Sequence, residues 1–280
     1  MAARIHSLAV VDASAVLGDD VVVGPFAVIG AEVTIGDGTE VGAGAQVQGP
    51  TVIGRENRIH PQAAIGFDPQ DLSYRGETVR LEIGDRNQIR EFSTLHRGTT
   101  KGGGVTRIGN DNLFMAYVHV AHDCQVGSRT IFANNATLAG HVEVHDDASI
   151  SAFSAVHQFC RVGRHAYVGG FSVITMDALP FAKTVGQKPA VYGLNSIGMK
   201  RKGMARESIQ ALDRALKVLV ESKLNTTQAL AALREELGDD AEVQYLISYI
   251  ESARRGYHRA RPGRRRRWRA RSRNRRACPE

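Results

Sequence analysis

Between Ile108 and Ile174 a large apolar residue returns at every sixth position: Ile108, Phe114, Val120, Val126, Phe132, Leu138, Val144, Ile150, Val156, Val162, Val168 and Ile174. If such residues fill roughly a quarter of an average chain, twelve in succession is on the order of one in ten million per starting point. A period of six fits neither a helix nor a simple alternating strand. It fits a parallel β-helix, where each hexapeptide builds one flat side and turns one large residue inward. Three sides make a triangular coil of about eighteen residues, and coils stack about 4.8 Å apart.

The same period holds earlier, at Val11, Leu17, Val23, Ile29, Ile35, Val41, Val47, Ile53, Ile59 and Ile65, and again at Ile83, Ile89 and Leu95. Glycine follows many of these (Gly18, Gly24, Gly30, Gly36, Gly42, Gly54, Gly66), which suits corners that need permissive backbone angles. Two interruptions predict loops. Residues 67–82 break the pattern over whole hexapeptides, since 65 to 83 is eighteen, and residues 96–107 lie in a step of thirteen from Leu95 to Ile108. Loops leaving a rigid scaffold are the usual place for binding residues.

Pro180 and Pro189 mark an irregular exit, and after Lys200 the spacing becomes helical: Ile209, Leu212, Leu216, Leu219, Val220, then Leu230, Leu233, Leu237, then Val243, Leu246, Ile247, Ile250. About three helices are expected, with Asn225 and Asp239 or Asp240 as N-caps and Gly238 as a stop. The expected organisation is mainly β: a solenoid over 1–190 with inserted loops at 67–82 and 96–107, a small helical C-terminal domain over 191–258, and a disordered Arg-rich tail over 259–280. The helices would cap the solenoid's open end, which otherwise exposes unpaired strand edges.

Composition narrows the class. The 280 residues hold no run near the roughly twenty apolar residues a transmembrane helix needs, and the start Met1-Ala2-Ala3-Arg4-Ile5-His6 lacks an apolar signal core. A cytoplasmic protein is expected. Cys124, Cys160 and Cys278 are few and widely spaced, which suggests reduced thiols and no zinc ribbon. The net charge of +7 is misleading: residues 254–280 carry thirteen Arg and one Glu, or +12, leaving 7 − 12 = −5 for the rest. Such a tail could attract nucleic acid or anionic lipid. The plainer reading is a solvated extension with little to bury, and no nucleic-acid partner is expected.

The period also places the histidines. One side of the prism runs Leu95, Val120, Leu138, Val156, Ile174, and His96, His122, His141 and His157 follow four of these by one to three residues, with Gln158 next to His157. They share one strip over about 14 Å, beside the loop that starts at His96. His119 ends the preceding hexapeptide, and His145 and His165 fall on another side. Histidine can take a proton from a hydroxyl near neutral pH. Asp123 directly follows His122 and could orient it, provided that a corner or another chain brings together residues that a strand would point apart. Zinc is the competing use, but ligands spread along the axis suit an elongated ligand better than a point ion.

Longer strings carry a specific resemblance: Gln70-Asp71-Leu72, Ile83-Gly84-Asp85-Arg86-Asn87, His96-Arg97-Gly98-Thr99, Lys101-Gly102-Gly103-Gly104, His119-Val120-Ala121-His122-Asp123-Cys124, residues 133–141, and Ala155-Val156-His157-Gln158-Phe159-Cys160. With the hexapeptides and the helical end, residues 5–259 resemble the left-handed β-helix acyltransferases, and within them the UDP-N-acetylglucosamine 3-O-acyltransferase family, which opens lipid A synthesis. The resemblance implies the left hand of the coil. It implies that His122, with Asp123, is the general base that deprotonates the sugar 3-hydroxyl. The oxygen then attacks the thioester of a (3R)-3-hydroxyacyl chain on acyl carrier protein. Asp71, His96, His119, His141, His157 and Gln158 match the substrate cleft; Asn195 and Arg201 match positions involved with the nucleotide or the carrier. Gly170 and Tyr167 match the region that sets acyl length. A homotrimer without cofactor or catalytic metal is implied, the cleft lying between prisms.

The sequence departs from that pattern at Ser73, where the best-known relatives carry Lys, at Ile197, where they carry Glu, and at Lys202, where they carry Arg. The first two remove charge from the nucleotide region and keep a 3-amino sugar analogue open as acceptor. The Lys200, Arg201, Lys202 cluster could steer an acidic carrier or be ordinary helix-start charge. The related N-acyltransferase is disfavoured because no extra domain precedes the coils. A zinc hydro-lyase of the carbonic anhydrase kind and a non-catalytic scaffold are the readings from other classes.

Overall fold

A computed structural model describes residues 1–222 and 224–259; the Arg-rich tail expected at 259–280 therefore lies, past Arg259, outside the described residues. The architecture is a left-handed parallel β-helix with a small helical end. Among the described residues it has three sheets of eleven, nine and eight short strands. Pairing is parallel and in constant register: Leu95 sits against Val120, Val120 against Leu138, Leu138 against Val156 and Val156 against Ile174. This is the side assigned from the period. The apolar column is enclosed from Val23 onward, with Phe114 and Phe132 stacked at 4.9 Å.

Each hexapeptide also turns a second, smaller residue inward, four after the large one, as with Ala27, Ala45, Ala136 and Ala148. At one corner that place is polar. The Asn57 side-chain oxygen accepts from Asn87 N (2.9 Å), that of Asn87 from Asn112 N (3.0 Å), and that of Asn112 from Thr130 N (2.8 Å). Buried amides are tolerated here because each satisfies the backbone of the next coil.

The corner glycines act differently from the expectation. Left-handed backbone falls three residues after the large inward residue, at Phe26, Glu32, Tyr117, Asp123, His141 and Phe159 among others, mostly without glycine. Gly36 and Gly42 are instead required by close stacking: a Cβ there would lie 2.7 Å from Gly54 C and from Pro61 N of the next coil. Gly66, at φ +71°, does use the left-handed region.

The strand after the first excursion resumes at Arg80 and the one after the second at Val105, so both excursions are shorter than the breaks in the period. At the far end an antiparallel hairpin, Ala182–Val185 with Ala190–Leu194, extends the eleven-stranded sheet. Among the described residues four helices follow: α1 (Ser196–Arg201), α2 (Arg206–Glu221), α3 (Thr226–Leu237) and α4 (Ala241–Glu251). Asn225 caps α3 in a full capping box with Gln228, and Asp240 caps α4. Leu212, Leu216, Leu233, Leu246 and Ile250 pack with Leu179, Phe181, Val191 and Leu194 into a second core that closes the last coil. Tyr249 donates to Ala178 O at 3.1 Å, and Arg161 joins Asp177 to the Tyr249 carbonyl, tying α4 to the prism.

Candidate active site

Asp123 sits at a corner with φ +62°. That conformation swings its carboxylate back toward its own neighbour, which a strand would not allow, and His122 Nδ1 meets Asp123 Oδ2 at 2.8 Å. The second excursion holds the carboxylate from the other side. Thr99 N donates to Oδ1 and Thr99 Oγ1 to Oδ2, both at 2.7 Å. Gly102 lies against it; a Cβ there would come 2.0 Å from Asp123 Cγ. Asp123 N donates to Thr106 Oγ1 at 2.8 Å. Burial works to raise this carboxyl, but the bonds from His122 and Thr99 and the nearness of His141 outweigh it and hold it below the ordinary range.

With Asp123 ionised, His122 Nδ1 is the donor and Nε2 carries the free lone pair. The side chain of His122 is 14% exposed against 1% for Asp123, so the ring is the part a substrate can reach. Gly140 leaves room for it: a Cβ there would lie 2.5 Å from His122 Cε1. His141 stands edge-on to His122 at 5.2 Å, with Nε2 3.7 Å from Asp123 Oδ2, and stacks on exposed Phe159 at 4.4 Å. Asp123, His141 and Phe159 occupy equivalent corners of successive coils.

His96 and His119 extend the cluster, their rings 5.3 Å apart. His96 Nδ1 bonds Asp68 O at 2.5 Å, and His119 Nδ1 bonds Thr94 Oγ1 at 2.7 Å. Burial, with His96 and His122 nearby, pushes His119 down to about 4. Burial also lowers His96 and His141. These rings are neutral near pH 7, suited to hydrogen bonding and not to fixed positive charge. Asp71 comes in on the first excursion. Bonds from the backbone and side chain of Ser73, with Lys101 and His122 nearby, keep its carboxyl ionised below the usual range. Lys101 Nζ donates to Ser73 Oγ at 2.8 Å, so the charge that Ser73 lacks is brought to it from the other loop.

The remaining expected residues lie elsewhere in the single chain. His157 and Gln158 are exposed and engage Arg255. Asn195 caps α1, accepting from Gly198 N at 3.2 Å and donating to His165 O at 3.0 Å. Arg201 ends α1, and the next residue, Lys202, pairs with Asp147 at 3.0 Å. Gly170 precedes Phe171 at the third corner, where Phe153 and Phe171 stack at 5.2 Å, and Tyr167 lies on the adjoining strand. A Cβ on Gly170 would meet only Ala152 O at 3.4 Å, so the chain's own packing does not demand glycine there. Thr99, Lys101, Gly102 and Gly140 were missed as site residues; the signal was present, since all four lie in the specific strings between Gly98 and His141.

A metal ion would compete for the same atoms. Ligand atoms of His122, Asp123 and His141 lie within 4.8 Å of one another. Asp123, however, already accepts from Thr99 N, Thr99 Oγ1 and His122 Nδ1, so most of its acceptor sites are taken.

Fold and site together define a hexapeptide-repeat β-helix that carries a carboxylate-held histidine beside its second excursion. Residues 32–66 and 106–140 match the bacterial transferase hexapeptide model, and residues 177–258 match the second domain of UDP N-acetylglucosamine O-acyltransferase. Acyl-[acyl-carrier-protein]--UDP-N-acetylglucosamine O-acyltransferases from Halorhodospira halophila and Thiobacillus denitrificans are 51% and 52% identical, over 90% and 91% of this chain and 98% of each relative. The solved UDP-N-acetylglucosamine acyltransferase of Francisella novicida superposes with a TM-score of 0.90 at 39% identity, covering 93% of this chain and 95% of that one. The chain belongs to the family of acyl carrier protein-dependent UDP-N-acetylglucosamine O-acyltransferases.

Proposed function

We propose that the chain transfers a (3R)-3-hydroxyacyl group from acyl carrier protein to the 3-hydroxyl of UDP-N-acetylglucosamine, the first step of lipid A synthesis. The observation that carries this reading is the Thr99–Asp123–His122 arrangement in a chain half identical to enzymes named for that reaction. His122 Nε2 takes the proton of the sugar hydroxyl as its oxygen attacks the thioester carbonyl carbon. The tetrahedral intermediate collapses with cleavage of the C–S bond, and the thiol leaves with the proton returned by His122. Asp123 fixes the tautomer and balances the imidazolium, and such base assistance is worth about 10² to 10⁴ in rate. Asp71, His96, His119 and His141 line the acceptor's side of the cleft.

The reading sets the enzyme in the cytoplasm as a homotrimer. Among the described residues no helix is long and apolar enough to cross a membrane. Asn195 and Arg201 lie at a different corner from His122, and Gly170 with Tyr167 at a third. A cleft shared between neighbouring prisms would let all of these, with His157 and Gln158, meet one elongated substrate. The relatives' names, O-acyltransferases throughout, do not favour the 3-amino acceptor or the zinc hydro-lyase. Purified protein given UDP-N-acetylglucosamine and a series of 3-hydroxyacyl carrier proteins should yield acylated nucleotide by mass, and His122→Ala should abolish it. A folded trimer that gives no product with any chain length would overturn the reading.

A further inference from the structure

The second excursion does more than hold Asp123. Its tight turn, Thr100–Gly102, is pinned at both ends: Thr99 donates twice to Asp123, and Gly102 packs against the same carboxylate. Lys101 stands between these fixed points and reaches across to the first excursion, where Nζ bonds Ser73 Oγ at 2.8 Å. Ser73 N in turn caps Asp71 Oδ1 at 2.7 Å. Lys101, Ser73 and Asp71 thus form a bridge between the loops, and Lys101 lies between two residues, Thr99 and Gly102, that touch the carboxylate holding His122.

An ammonium carries three donors, and Ser73 takes one. The other cations of the loops and their flanking strands have partners of their own. Arg97 is buried on Gly49 O and Asp68. Arg75 folds back on Leu72 O and Tyr74 O, and Arg80 and Arg107 share Glu82. Lys101 is exposed and keeps donors for a ligand.

We propose that Lys101 is the binding residue that positions the diphosphate of the acceptor nucleotide beside His122. The inference rests on the acyl transfer proposed above, whose acceptor bears its negative charge on that diphosphate. The Ser73 bond holds the ammonium ready, so the nucleotide meets a preorganised charge.

The test compares Lys101→Met, Lys101→Arg and the double variant Ser73→Lys/Lys101→Met with wild type. KM is measured for UDP-N-acetylglucosamine and for the acyl carrier thioester, with competitive inhibition by UDP and by uridine. Lys101→Met should raise the nucleotide KM and weaken UDP inhibition about tenfold or more, a charged hydrogen bond's worth. Uridine inhibition and the thioester KM should stay as in wild type, and Lys101→Arg should keep most of the affinity. The double variant should regain UDP affinity, because a lysine at 73 returns charge to the same place without rebuilding the Lys101–Ser73 bond. Unchanged UDP inhibition in Lys101→Met, while wild type acylates the nucleotide, overturns the assignment and leaves the function standing. Equal weakening of UDP and uridine without rescue overturns it in favour of a loop staple, and a rise confined to the thioester KM overturns it in favour of the donor. A wild type that neither binds UDP nor acylates the nucleotide overturns the assignment and the function together.

Discussion

Replacing Asp123 by Asn isolates the electrostatics of the dyad. The carboxylate accepts three short bonds and donates none: from Thr99 N at 2.7 Å, Thr99 Oγ1 at 2.7 Å and His122 Nδ1 at 2.8 Å. An amide of the same shape keeps its oxygen against the Thr99 N–H, which can only donate. Its NH₂ group then faces His122, and Nδ1 must accept. The ring proton moves to Nε2, the atom that should receive the substrate's proton. The base is removed although no heavy atom need move. Such assistance is worth about 10² to 10⁴, and the same exchange in the serine protease triad costs about 10⁴ in kcat.

The expected result is a fall in kcat of about 10² to 10⁴ with nucleotide KM within about twofold, because the carboxylate is enclosed behind the ring. Stability should fall by only about 1–2 kcal/mol, since Thr99 Oγ1 can turn to accept from the amide and charged bonds become neutral ones. Initial rates by mass spectrometry and a urea titration measure both. A correctly folded Asp123→Asn protein with kcat within about threefold of wild type would refute the role given to the dyad.

Two further expectations use the same cluster. Gly140→Ala places a methyl 2.5 Å from His122 Cε1 and 2.8 Å from Nε2, so the ring must shift; kcat should drop about 10²-fold with the fold intact, and unchanged kinetics would show that the ring does not act from this position. His119 is held at about 4 against an ordinary 6.5, so the unfolded chain binds its proton first as the medium is acidified. The stability from His119 is full above 6.5 and is lost as pH falls through that window, by about 3 kcal/mol at most at about 1.4 kcal/mol per pH unit; urea unfolding from pH 7 to 4 should show a loss that shrinks in His119→Gln.

The side assignments were legible because register is constant from coil to coil, so that counting by six is equivalent to measuring space. The step of thirteen after Leu95 did not disturb the count, because the excursion returns the chain to the next side at Val105. What stayed hidden has physical causes. Asn57, Asn87 and Asn112 are inside, but hydropathy registers an amide as exposed and cannot see that each serves the backbone of the next coil. Gly36 and Gly42 mark close stacking and not left-handed backbone, a distinction that needs the neighbouring coil. Asn195 also bonds at both ends of its amide within the chain, which position alone does not reveal. His157 follows the strip of His122, and the contact of Arg255 with its ring and the neighbouring carbonyl comes from a distant segment that the period does not describe. The meeting of Lys101 with Ser73 spans 28 residues and two loops that no period describes.

The repeat also explains why chemistry settles at this corner. A strand separates adjacent side chains, so a base and its orienting carboxylate one residue apart could not touch on a flat side. Left-handed backbone at Asp123 turns the carboxylate under His122, and the same corner one coil on presents His141 and then Phe159. A solenoid therefore builds a site by stacking corners. It lacks a deep core to enclose that site, and the two excursions supply the enclosure: Thr99 and Gly102 seal the carboxylate from one loop, while Asp71 and Ser73 of the other are tied to that loop through Lys101. The scaffold fixes position and the loops fix polarity. Substitutions in the coils should therefore be felt first as stability, and substitutions between Asp68 and Ser73 or Thr99 and Gly102 as affinity and rate.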